Sequence, residues 1–147
     1  MKAALKLFRV RKIEARGDEV MQGVQANLIV TQSSTIGIGS GENNRPHAKV
    51  DMKLNLIGDV AESKKEFLHI ALDVEAVFEV LDQLNIPELQ ADSTLSKAFG
   101  DDCSRLIYPH AVLVLQRYLA DFGVVSAQLG LEFPASPTTE TVAANEK

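Results

Sequence analysis

The sequence predicts an α+β protein: a four-stranded antiparallel sheet followed by a long helix packed on one face. Three observations carry that expectation. β-Branched and alternating segments fill the chain up to Leu81, two of them read as a hairpin, and helical periodicity begins only after Asn85. Strands first and helices afterwards is the order in which helices gather on one side of an antiparallel sheet. With 147 residues, 46% hydrophobic and 24% charged, the chain is one domain long. A chain of that size buries roughly two thirds of its unfolded surface, enough for a core without disulfides.

The first strand is expected near 5–16, where Leu5 and Leu7, Phe8 and Val10, then Ile13 and Ala15 form period-two pairs. The register slips between pairs, which predicts a bulged or edge strand. A second strand near 27–38 carries Leu28, Ile29, Val30, Thr31, Thr35, Ile36 and Ile38 and ends in the loop Gly39 to Pro46. In the third, near 48–58, Val50, Met52, Leu54 and Leu56 alternate with Asp51, Lys53 and Asn55, so one face is apolar and the other meets water. After a polar connection from Gly58 to Lys65, the fourth strand, near 66–81, sets Leu68, Ile70, Leu72, Val74, Ala76, Phe78 and Val80 on one face. Two such strands joined by a short loop predict an antiparallel hairpin.

Pro87 breaks the strand pattern, and Asp92 or Ser93 can cap a short helix near 93–99 that stops at Gly100. Asp101 or Ser104 then opens a longer helix near 104–122, with Gly123 at the position after its end. Tyr108, Val112, Leu115, Leu119 and Phe122 form one stripe along it, widened by Ala111, Leu113, Val114 and Tyr118. A helix apolar nearly all round is covered on two sides. The sheet supplies one cover, and a second copy of the chain is expected to supply the other, with Val112, Leu113, Leu115, Tyr118 and Leu119 at the interface. A short extended segment follows from Gln128 to Phe133. Residues 1–134 therefore read as a single domain, and 135–147, with Val142 as its one large apolar residue, as a disordered tail.

The net charge is −5. It is uneven, because residues 1–16 carry six basic side chains against Glu14, or +5, which leaves −10 for the rest. An acidic body argues against nucleic-acid binding by the chain as a whole and suits basic partners. No apolar run approaches a membrane span, and Met1 to Val10 interleaves Lys2, Lys6 and Arg9 where a signal peptide would be continuous. A cytoplasmic protein without membrane insertion is expected, and the lone Cys103 fits a reducing compartment.

Catalytic patterns are weak. Gly37, Gly39 and Gly41 lead into Glu42 to Pro46 and not into a helix N-terminus, so no phosphate loop or ATP site is expected. Cys103 and His110 are seven residues apart, two helical turns, too far for a hydrogen-bonded nucleophile and base. His47, His69 and His110 lack metal-ligand spacing, and neither a metal nor a cofactor is expected. Asp101 and Asp102 are explained by the dipole at a helix start. Asp73, Glu75 and Glu79 lie on the polar face of the fourth strand, either as a solvated face or as an acidic patch for docking a partner. A non-enzyme is expected. The enzymatic alternative is a small hot-dog-like α+β dimer, in which the long helix would follow an early strand.

LIYPHAVLVLQRYLADFGVVSAQLGLEF, from Leu106 to Phe133, resembles the most recognisable stretch of the SecB family of export chaperones. Ile107, Tyr108, Pro109 and Ala111 match the family's helix opening and Gly123 its close, while Leu129, Leu131 and Phe133 approximate the segment that follows. VDMKLNLIG and FLHIALDVEAVFEV stand where its third and fourth strands stand. The resemblance implies a SecB-like fold assembled as a dimer of dimers. It also implies ATP-independent binding of unfolded preproteins in apolar grooves, or of the antitoxin of a toxin-antitoxin pair as a dedicated client. The groove expected from it and from the apolar residues comprises Phe8, Leu54, Leu56, Phe78, Leu106, Ile107, Tyr108, Leu129, Leu131 and Phe133. Three departures bear on the SecA translocation ATPase as a partner. The family's docking acid falls near Ala71, with Asp73 or Glu75 beside it; the C-terminal helix has no counterpart in 135–147; and the first strand is basic.

Overall fold

A computed structural model describes residues 2–18, 26–40, 45–122 and 129–133. Four strands, β1 (Ala3–Gly17), β2 (Ala26–Ser40), β3 (Pro46–Val60) and β4 (Glu66–Val80), form one antiparallel sheet in the order β1-β4-β3-β2. Two helices follow, α1 (Ile86–Ala91) and α2 (Ser93–Asp121). The sheet is a β2–β3–β4 meander with β1 added beside β4, so β1 and β2 are its edges. Register slips in β1 fall between Leu5 and Leu7, within its first apolar pair, and between Val10 and Lys12, at the joint between the second pair and the third.

The strands run further than the sequence suggests. β2 and β3 stay paired from Ala26 opposite Val60 to Ser40 opposite Pro46, so Gly37, Gly39 and Gly58 lie inside the ladder. Pro46 is tolerated as the first residue of a strand, where no ladder bond is lost. The expected connection from Gly58 to Lys65 shrinks to a tight turn. In it Lys64 takes φ 54°, its N–H donates to the Val60 carbonyl at 2.7 Å, and the Val60 N–H donates to that of Lys65 at 2.9 Å.

The helices differ from expectation in two ways. The short helix lies earlier, at Ile86–Ala91, because Pro87 sits in its first turn, where a missing N–H costs nothing, and Asn85 caps it by accepting from the Glu88 N–H at 3.2 Å. Asp92 does cap the next helix, accepting from Thr94 and Leu95 at 2.8 and 3.2 Å, but that helix runs through Gly100 for 29 residues. Gly100 is a contact point and not a stop. A Cβ there would stand 2.9 Å from Ile36 Cδ1, so the missing side chain lets α2 approach β2. Asp101 and Asp102 consequently lie within the helix, where no terminal dipole explains them. Pro109 lies inside α2 as well and leaves the Arg105 carbonyl without its helical amide partner.

The core lies between the sheet and α2. Cys103, Ile107, Ala111, Leu115 and Leu119 pack with Val50, Met52, Leu54 and Leu56 of β3 and Ile70, Leu72, Val74 and Ala76 of β4. At the far end a Cβ on Gly17 would meet the Phe122 ring at 3.0 Å, so α2 starts over β2 and finishes over the end of β1. This is the four-stranded antiparallel sheet with a long helix on one face that the sequence predicts. Among the described residues no helix is long and apolar enough to cross a membrane. The expected cap at Gly123 and the tail from 135 lie outside the described residues.

Candidate functional site

Because α2 packs on β2, β3 and β4, most of the inner face of β1 is left beside the helix and not beneath it. Pairing with β4 puts Leu5, Phe8, Val10 and Ile13 on that face, opposite Phe78, Ala76, Val74 and Leu72. Phe8 is half-buried, its ring 5.6 Å from that of His110 on α2. Leu5 and Val10 are exposed. Leu106 and Leu113 recur with His110 along one helical stripe, and both are exposed, Leu113 to 56%. Among the described residues the result is a solvent-open apolar channel walled by α2 and floored by β1, whose outer backbone edge has no strand partner there and can pair with another strand.

The opposite flank of α2 is covered by the chain itself. The Leu129 N–H donates to Gln116 Oε1 at 2.9 Å, the Phe133 ring stands edge-on to Tyr108 at 5.5 Å, and the Arg105 guanidinium lies 5.9 Å from the centre of the Phe133 ring. Residues 129–133 thus run back along the helix, and Leu131 is left exposed.

These placements divide the residues expected in the groove. Leu54, Leu56, Phe78 and Ile107 are core, and Tyr108 is nearly so. Phe8, Leu129 and Phe133 are half-buried beside the channel or the returning segment, and Leu106 and Leu131 are exposed. Among the residues expected at an interface between copies, Val112, Leu115 and Leu119 are buried within the single chain. The sheet takes them, so only Leu113 and the partly buried Tyr118 remain on the outside. Leu5, Val10, Ile13 and His110 join the channel unannounced. The period-two pairs of β1 already named the first three, but nothing local tells which strand a helix leaves uncovered.

The outer face of the sheet corrects a second expectation. Glu75 and Glu79 form neither a solvated face nor an acidic patch, for their side chains are only 5% and 11% exposed. Arg9, Arg11 and Lys49 converge on Glu75 at 3.0, 3.3 and 3.5 Å. Arg45 and Lys6 reach Glu79 at 2.7 and 2.9 Å. The basic charge of β1 is the counter-charge of β4. Its bulges matter here, because each shifts one long basic side chain, Lys6 or Arg11, toward a carboxylate.

Hydrogen bonds from Arg45 and Lys6 hold the Glu79 carboxyl far below its ordinary value, at about 2. A depressed native pKa gives stability that is present above the unfolded value and lost as pH falls through the native one. Thermal melts from about pH 5 down to pH 2 should therefore fall more gently in Glu79→Gln than in the parent chain. Equal slopes would show that the three groups are not joined in solution.

Burial, with Asp102 beside it, pushes the Cys103 thiol up to about 12, so it is not a nucleophile at neutral pH. His110 faces Phe8 and does not reach it. Asp102 pairs with Arg105 at 3.6 Å, and among the described residues no three His, Cys, Asp or Glu converge as metal ligands.

No family model matches the chain, and no curated protein matches it significantly. Among solved structures it is similar to a SecB-like chaperone of Mycobacterium tuberculosis, determined in complex with a ChAD peptide from the HigA1 antitoxin. The two superpose with a TM-score of 0.62 over 87% of this chain and 89% of that one, at 11% sequence identity. The likeness is one of fold.

Proposed function

We propose that the chain is an ATP-independent chaperone that holds an unfolded or extended polypeptide in the channel between β1 and α2. The observation that carries this reading is the channel itself, with Leu5, Val10, Leu106 and Leu113 exposed around Phe8 and the free edge of β1 alongside. Clients of varied sequence share only apolar side chains and unpaired backbone groups, and those are what the channel and the edge can take. Self-association into a dimer of dimers belongs to the same proposal. Tyr118 on α2 and the edge of β2, both outside the channel, are surfaces left for it.

A dedicated client, such as the antitoxin of a toxin-antitoxin pair, is the better reading over general preprotein export. The burial of Glu75 and Glu79 beneath basic side chains favours it, because a basic tail of a translocation ATPase would find no free acidic surface there. The chaperone complex with an antitoxin peptide, seen in the structural neighbour, supports it also.

Suppression of the aggregation of a chemically denatured, unrelated protein, without nucleotide and at several-fold molar excess, tests the holding activity. The parent chain should suppress, and a Leu106→Asp, Leu113→Asp double variant should lose most of that effect while keeping its circular dichroism spectrum. Undiminished suppression by the variant would place client binding elsewhere. Failure of the parent chain itself would rule out general holding and leave only a dedicated client.

A further inference from the structure

The outer face of the sheet is rich in charged groups, and holding a client in the channel leaves it unoccupied. Its two ion clusters are unbalanced in charge and in exposure. Lys6, Arg9, Arg11, Arg45 and Lys49 are five cations set against Glu75, Glu79 and Asp51. The cations are 51–63% exposed, while the carboxylates are 5%, 11% and 33% exposed. Each buried carboxylate therefore holds cationic heads at the surface with donors still facing water. In a chain of net charge −5, these eight side chains carry five positive and three negative charges, or +2, and the remainder −7.

The spacing of the clusters selects the partner. Glu75 and Glu79 are four residues apart on β4, about 13 Å at the rise of a strand. Between them, on the same face, Val77 stands opposite the exposed Leu7 of β1 on one side and Lys49 of β3, whose ammonium reaches Glu75, on the other. Read along the β1 side of β4, the face alternates cationic at Glu75, apolar at Val77 and cationic at Glu79, at steps of two residues. An extended polypeptide laid along it would meet this pattern with side chains i, i+2 and i+4 that are acidic, apolar and acidic. A nucleic acid would meet phosphate-binding cations but no stacking platform. None of the six Phe and two Tyr of the chain stands on this face, since Phe8 and Phe78 point to the helix side, Phe67 packs against Gly58, and the others follow β4 in sequence.

We propose that the outer face of the sheet docks an acidic polypeptide segment in extended conformation, with carboxylates two positions either side of an apolar residue. This site is separate from the apolar channel on the other face, so one partner can be held by its unfolded part while another, or a different part of the same one, is read by charge. Ion pairing at such a half-exposed surface sets orientation and on-rate more than affinity and weakens with salt.

The test is a fluorescence-anisotropy titration of the full chain with a labelled peptide built on Glu-Ser-Leu-Ser-Glu. A Lys-Ser-Leu-Ser-Lys peptide and a uridine-rich single-stranded RNA serve as comparisons, and amide chemical shifts map the binding face. The acidic peptide should bind saturably, lose about ten-fold in affinity between about 0.05 and 0.5 M salt, and shift amides around Leu7, Lys49 and Val77. An Arg9→Gln, Arg11→Gln variant keeps side-chain donors for Glu75 and should bind about five-fold more weakly, while Arg117→Gln on α2 should bind as the parent does. The proposal is overturned if no saturable binding is found, if the lysine peptide or the RNA binds as tightly, or if the shifts fall around Val10, Leu106 and Leu113. The shift map on the unmodified chain decides the matter even if the double variant fails to fold. Shifts confined to the channel would sink this proposal while leaving the chaperone reading intact.

Discussion

Ile107→Ala should cost about 2–5 kcal/mol of folding stability, whereas Leu106→Ala, one residue away, should cost no more than about 0.5 kcal/mol. Ile107 is a fully buried member of the core between α2 and the sheet, so truncation leaves a cavity among core side chains that relax only partly. Leu106 already stands in water on the channel side. Urea titration followed by circular dichroism measures both, and the denaturant slope should be unchanged in each. The ranking should reverse in the aggregation assay, where Leu106→Ala weakens holding and Ile107→Ala, tested well below its melting temperature, does not. Similar stability losses for the two variants would mean that α2 is rotated about its axis relative to the sheet.

That contrast marks how far the sequence could be read. The strands are legible because each has a period of two, and the apolar set is unbroken from Ala48 to Leu56 in β3 and from Leu68 to Val80 in β4. Even the slips in β1 were legible as slips. On α2 the pattern is apolar almost everywhere, so periodicity could not separate Ile107 from Leu106, or Val112 and Leu115 from Leu113. Which faces are covered depends on the crossing of α2 from β2 toward β1 and on the return of residues 129–133, and neither is a local property. Gly100 misled for a related reason. In isolation a glycine after an apolar run reads as a helix end, but here it answers to Ile36, more than sixty positions earlier in the chain.

The cover on the polar side of the sheet is illegible in the sequence for a different physical reason. Alternation shows that Asp73, Glu75 and Glu79 face away from the core, and water is the ordinary occupant of that side of an antiparallel sheet. Cover by other charges becomes visible only with strand order. β1 is first in sequence and β4 last among the strands, yet they are neighbours, and Lys6, Arg9, Arg11 and Arg16 of β1 settle on Glu79, Glu75 and Glu66 of β4. The same charge that looked like an obstacle to an acidic docking surface is the reason no such surface exists.

Glu75→Lys should accordingly destabilise the fold by about 3 kcal/mol or more, a loss that has nothing to do with any partner. Three cations already lie within 3.5 Å of that carboxylate. Removing one member of a buried ion cluster costs about 3–5 kcal/mol because the remaining charges are left uncompensated. The partners here are half exposed and can swing into water, which lowers the cost, but a fourth cation in their midst adds repulsion that raises it. Glu75→Gln keeps the volume and an acceptor oxygen, and should lose about 1–3 kcal/mol. Two features identify the mechanism in thermal or urea unfolding. The deficit of Glu75→Lys should shrink with added salt, since repulsion among exposed heads is screened within about 10 Å at 0.1 M. Adding Arg9→Glu to Glu75→Lys should restore part of it by returning one opposite charge to the cluster. If Glu75→Lys is as stable as the parent chain, the cluster is not formed in solution, and β4 then presents free carboxylates to which a basic partner could dock.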